Sequence, residues 1–134
     1  MKVRCVKILP TLPIARRLGR HYTPGQEFPL TAGAEYPVFG LRFWAGAPWI
    51  DIEAVPGYLV IVPLGLFEVI DGRVPENWVA AVDDQGDVSL LPEAFHDKFF
   101  IDDLFEGKED AVRAFQNARE QMLDRPTGRE PQPE

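Results

Sequence analysis

Polar and apolar residues alternate over Lys2-Val3-Arg4-Cys5-Val6-Lys7-Ile8-Leu9, the period of two that a half-buried strand requires, so residues 2–9 predict a first strand. The pattern fails over residues 10–35, where Pro10, Pro13, Pro24 and Pro29 interrupt any long element and Gly19, Gly25 and Gly33 supply turns. Strand character returns at residues 36–44, which are rich in aromatic and β-branched side chains. Pro37 donates no N–H and so belongs near a strand start or an edge. Ala45-Gly46-Ala47-Pro48 predicts a hairpin turn, and residues 49–54 alternate again, with Trp49 and Asp51 on one face and Ile50 and Ile52 on the other. Pro56-Gly57 carries the residues of a type II turn. Residues 58–62 are almost continuously apolar and predict a central strand. Residues 66–70 form a further strand closed by Asp71-Gly72. Residues 78–82 and 88–91 form a final hairpin around Asp83-Asp84-Gln85-Gly86-Asp87.

Beyond Pro92 the period changes. Phe95, Phe99, Ile101, Leu104 and Phe105 mix spacings of three and four with others, the mark of short or broken helix. Residues 109–123 are cleaner: Ala111, Val112, Phe115, Ala118 and Met122 gather on one face, while Glu109, Arg113, Gln116 and Glu120 lie elsewhere. Glu109 precedes Arg113 by one turn, in the favourable order, and Glu109 and Asp110 complement the helix dipole. From Asp124 the chain has no large apolar residue and several prolines, so burial cannot offset the entropy of ordering it. These readings predict one α+β domain over residues 1–123 and a disordered tail over 124–134. The sheet is expected to be small, antiparallel and strongly bent, or a partial barrel, with an amphipathic C-terminal helix covering an open end or face.

Composition narrows the chemistry. A formal charge of −7 and a pI near 4.8 argue against nucleic acid, whose binders usually present a basic face. The single cysteine, Cys5, excludes an internal disulfide and reads as a small hydrophobe in a strand. No stretch has the apolar length of an export signal or a membrane span, and the cytoplasm is the expected compartment. Arg16, Arg17, Arg20 and His21 form a small basic cluster, either a solvated loop or short helix or a partner-facing one. His21 and His96 are the only histidines, and neither has metal-ligand spacing. Phosphate-cradling loops and nucleophile motifs are absent, so no catalytic residue, cofactor or metal is assigned. The acidic run at residues 83–87 lacks the ligand alternation of a calcium loop and reads as a turn.

Two features suit partner binding. Asp97, Asp102, Asp103, Glu106, Glu109 and Asp110 crowd one stretch against Lys98 and Lys108 alone, which is either a solvated helix surface or a negative patch for a basic partner. Asp102, Asp103 and Glu106 are the charged contacts expected of it. Trp44 and Trp49 flank one turn and are either core or an exposed aromatic contact, since tryptophan serves both.

Leu30-Thr31-Ala32-Gly33-Ala34-Glu35-Tyr36-Pro37-Val38-Phe39-Gly40 resembles the opening strand of small bacterial SH3-like barrels. Pro63-Leu64-Gly65-Leu66-Phe67-Glu68-Val69-Ile70-Asp71 and Pro75-Glu76-Asn77-Trp78-Val79 resemble the continuation found in immunity proteins of polymorphic or contact-dependent toxin systems. The resemblance spans residues 29–110 and leaves 10–28 unexplained. It implies a cytoplasmic, non-enzymatic antitoxin that binds and neutralises a cognate toxin domain. It carries over no functional residue, because immunity surfaces diversify with their toxins. A general SH3-like adaptor holding a peptide or protein on the Trp44/Trp49 face is the alternative. An enzyme would need His21, His96 or the carboxylates to meet in a concave pocket.

Overall fold

The computed structural model describes residues 1–18, 23 and 25–124, and among them it contains seven strands and three α-helices. Strand β1 (Lys2–Cys5) is followed by α1 (Leu12–Leu18), β2 (Glu35–Trp44), β3 (Ala47–Val55), β4 (Tyr58–Pro63), β5 (Phe67–Asp71), β6 (Trp78–Val82) and β7 (Val88–Pro92). Helices α2 (Phe100–Phe105) and α3 (Glu109–Asp124) close the chain, with short 3₁₀ turns at Leu64–Leu66 and Glu93–His96. This is the expected α+β class, with antiparallel strand pairing throughout. The sheet does not close into a barrel. Of the expected tail, residues 125–134 lie outside the described residues, as do Arg20 and His21 of the basic cluster. Arg16 is exposed on α1.

Strand β2 organises the sheet. One of its edges pairs with β3 along most of its length. Its other edge is shared: β1 pairs with residues 35–37 and β7 with residues 41–43. The sheet therefore forks, with β5 added outside β1 and β6 outside β7. A register shift between Val38 and Gly40 marks a bulge at Phe39, the device by which a strand bends and re-aims its side chains. Gly40 is required there. A Cβ on it would stand 2.2 Å from Leu91 Cδ2 and 3.4 Å from the Asp51 carboxyl carbon.

Two core clusters pack around this sheet. Val3, Val38, Ile50, Ile52, Val62, Leu66 and Trp78 pack together, joined by Leu18 at the end of α1 and by Phe28. Phe39, Leu59, Leu91, Phe95, Phe100, Leu104, Ala111, Phe115 and Ala118 form the second, which seats the helices. Adjacent residues Val38 and Phe39 go to opposite cores, as strand alternation demands. Helix α3 buries the face read from its spacing, with Phe115 2% exposed and its ring 5.2 Å from that of Phe39. Arg119 fastens α3 to the sheet by pairing with Glu53, which also accepts the Gly57 N–H at 2.7 Å.

Three elements depart from the expected pattern. The first strand ends at Cys5, not residue 9. Helix α1 forms despite Pro13, which falls in its first turn, where a missing N–H costs no intrahelical bond. Strand β4, whose apolar run predicts a central strand, is an edge paired only with β3 among the described strands. Its apolar run is explained by cover on both faces, since Leu59 joins the helical core and Val62 the other. The β3–β4 turn, the β6–β7 hairpin with its acidic loop, and the short helices after Pro92 fall where the pattern placed them. Gly57 takes the positive φ of 86° that the turn demands.

Candidate functional site

Two surface features flank the segment from Phe95 to Phe105. The first is an aromatic patch collared by acid. Phe99 and Phe105 stand at the two ends of α2, 54% and 71% exposed, while Phe100 and Leu104 turn inward to hold the helix down. The Phe105 ring lies 5.3 Å from that of Tyr58 at the start of β4, and Tyr58 is itself exposed. Lys98 Nζ sits 5.0 Å above the Phe99 ring. Three large aromatic side chains, Phe99, Phe105 and Tyr58, are thus left exposed to water near α2.

The three expected charged contacts differ in environment. Asp102 is exposed and makes no ion pair among the described residues. Asp103 is half-buried, with its carboxylate 3.3 Å from Lys108 Nζ; Glu106 is exposed and shares that ammonium at 3.7 Å. The two carboxylates, Asp103 first, raise the Lys108 pKa. Glu109 and Asp110 both engage Arg113. Asp102 and Glu106 are thus the outward-facing charges of the patch.

The tryptophans separate. Their rings are 5.1 Å apart on one face, as the turn between them suggests. Trp49 is 3% exposed and belongs to the core, so it is withdrawn from partner contact. Trp44 is half-buried and borders the second feature, an open cleft of 540 Å³.

The floor of this cleft follows from strand register. Ala81, Ser89, Arg42 and Trp49 are successive partners across β6, β7, β2 and β3, so their side chains share one face. Arg42 is at the centre of the row. Its Nε and Nη2 donate to Asp51 Oδ1 and Oδ2 at 2.7 and 2.8 Å, and Asp51 is fully buried. The wall is the segment containing Phe95, His96, Asp97, Lys98 and Ile101. His96 Nε2 donates to the Val79 carbonyl at 2.6 Å, and Asp97 Oδ1 accepts the Phe99 N–H at 2.9 Å. Both groups thereby secure backbone. No cluster of metal-ligating side chains occurs among the described residues.

Sequence reading missed the Arg42–Asp51 pair. The available signal was a charge of opposite sign within each of two adjacent, mostly apolar strands, Arg42 in β2 and Asp51 in β3. Their meeting depends on a register that the bulge at Phe39 sets, and no local pattern reports it. Cys5 is buried as expected of a strand cysteine, and burial pushes its thiol pKa up. No described helix is long and apolar enough to cross a membrane. Comparison with protein-family models, curated proteins and solved structures finds no match.

Proposed function

We propose that this chain is a cytoplasmic, non-catalytic protein-binding domain of the immunity type, which neutralises a cognate toxin domain by docking α2 against a cationic surface. The observation that carries this reading is the pairing of exposed aromatic and acidic side chains on one short helix: Phe99 and Phe105 with Asp102 and Glu106. Buried aromatic anchors dominate the energy of protein interfaces, and surrounding charge selects the partner and speeds encounter. An acidic collar around apolar rings fits a partner whose basic residues ring an apolar pocket. The chain's net charge of −7 adds long-range attraction of the same sign.

An SH3-like ancestry belongs to this proposal, supported by the small, mostly antiparallel sheet and its bulged central strand. The adaptor alternative is disfavoured by the burial of Trp49, which leaves Trp44 as the sole tryptophan of that pair at the surface. The direct test is co-expression with the product of the adjacent gene, followed by co-purification and a growth-rescue assay. A complex of nanomolar affinity or better and restored growth are expected. An adjacent product that is harmless to cells, or a toxin unaffected by this chain, would defeat the proposal.

A further inference from the structure

We propose that the cleft between the sheet and the segment 95–101 binds a small monoanionic carboxylic acid with an apolar or aromatic body, its carboxylate received by Arg42 and Ser89. This site stands apart from the α2 surface and does not depend on the toxin reading. Most polar groups of the cleft already have partners. His96 is spent on the Val79 carbonyl and Asp97 on the Phe99 N–H. Asp83 Oδ1 accepts the N–H groups of Gln85 and Asp87 at 2.9 and 3.0 Å, closing the β6–β7 turn. Lys98 rests over the Phe99 ring.

Arg42 and Ser89 remain on the floor, and Lys98, whose ring contact leaves its ammonium donors open, adds a second positive charge on the wall. A guanidinium has five N–H donors, and the bidentate bond to Asp51 uses Nε and Nη2 but not Nη1. Asp51, fully buried behind it, fixes the arginine rotamer before any ligand arrives, and such preorganisation reduces the ordering cost of binding. The arginine side chain is only 15% exposed, so a bond to its open edge forms against little competing water. Ser89 is the direct cross-strand neighbour of Arg42 and makes no side-chain hydrogen bond among the described residues. Together they offer planar donors and a hydroxyl at one spot on the floor, which matches a carboxylate. Trp44, Ile61, Leu91, Phe95 and Ile101 supply apolar lining around the site. Asp83 and Asp97 on the same lining repel a second negative charge, which selects a monoanion over a phosphate dianion.

The test is a two-dimensional NMR titration of the full chain with phenylacetate, with phenylacetamide and phenyl phosphate as comparisons. Phenylacetate should shift the Ser89 and Ala81 amides and the Trp44 indole saturably, with a dissociation constant on the order of millimolar for so small an acid. The neutral amide and the dianion should each bind about tenfold more weakly. Removing Arg42 alone leaves Asp51 buried and unpaired, so the double variant Arg42→Met/Asp51→Leu is the better probe; it should lose phenylacetate while keeping its fold. Ala81→Trp, at an exposed floor position, should block the cleft with the rest of the spectrum unchanged. The proposal is overturned by equal binding of acid and amide, by saturable shifts confined to Phe99 and Phe105, by an Ala81→Trp variant that binds as well as the parent, or by no saturable shift.

Discussion

Asp51 is buried in a sheet whose neighbours on both sides are apolar, and its carboxylate is tolerated because Arg42 meets it with two short, parallel hydrogen bonds. Such a pair contributes little net stability relative to well-packed apolar residues, yet breaking it by removing one partner strands a charge away from water. Arg42→Ala should therefore lower the unfolding free energy by about 3–5 kcal/mol in a urea titration, while Arg42→Met/Asp51→Leu should recover most of that loss. A double variant as unstable as Arg42→Ala would mean that the ion pair itself, not the stranded charge, sets the cost. Gly40 belongs to the same arrangement. An added methyl meets Leu91 at 2.2 Å, and Leu91 is a core side chain only 1% exposed. Gly40→Ala should cost about 1–3 kcal/mol by overpacking, read from the same titration. The sequence showed Asp51 and Trp49 to share a face. It could not show that this face is buried, because an isolated alternation has the same form whichever side meets water.

Elements whose stability comes from their own spacing were the legible ones. Helix α3 was read from Phe115, Ala118 and Met122 falling on one face, and the β6–β7 hairpin from apolar runs around a polar loop. Elements that depend on distant partners were not. Helix α1 is a single short stretch held by Leu18 in the main core, and its proline resembles a breaker until its place in the first turn is known. Strand β4 resembles a central strand because a helix, not another strand, covers part of it. Strands β1, β2 and β5 are tied by charge: Glu35 engages Lys2 at 3.1 Å and Arg4 at 3.0 Å, and Arg4 also engages Glu68 at 2.7 Å. Lys2 first, and then Arg4, hold the Glu35 carboxyl below its usual range. A pKa lowered in the folded state gives a contribution that is complete above the unfolded carboxylate pKa, about 4.3, and disappears as pH falls through the folded value. Glu35→Gln should accordingly lower the urea midpoint slightly at about pH 7 and match the parent once the pH lies below the folded value. A difference that persists or grows on acidification would exclude this ladder as its source.

At the scale of the whole molecule, the segment from Phe95 to Phe105 has two sides with different work. Its inner side walls the cleft over Arg42, and its outer side carries the rings and carboxylates proposed to meet a protein partner. The outer side allows charge and apolar contact to be separated kinetically. Asp102 and Glu106 act at a distance, before contact, so Asp102→Lys/Glu106→Lys should slow association with the cognate toxin by about tenfold at low salt. Dissociation should change little. In about 1 M salt, where the Debye length is near 3 Å, the difference should vanish. Phe105 acts only after contact, because dispersion and exclusion of water require touching surfaces. Phe105→Ala should leave association nearly unchanged and weaken binding by about 2 kcal/mol, roughly a thirtyfold faster dissociation, at any salt concentration. Both substitutions lie at exposed positions, so circular dichroism should show folded protein in each case. Stopped-flow association and surface-plasmon dissociation measured on the same variants distinguish the two effects. If charge reversal altered dissociation alone, or if Phe105→Ala had no effect at any salt, the partner would have to sit elsewhere than on α2.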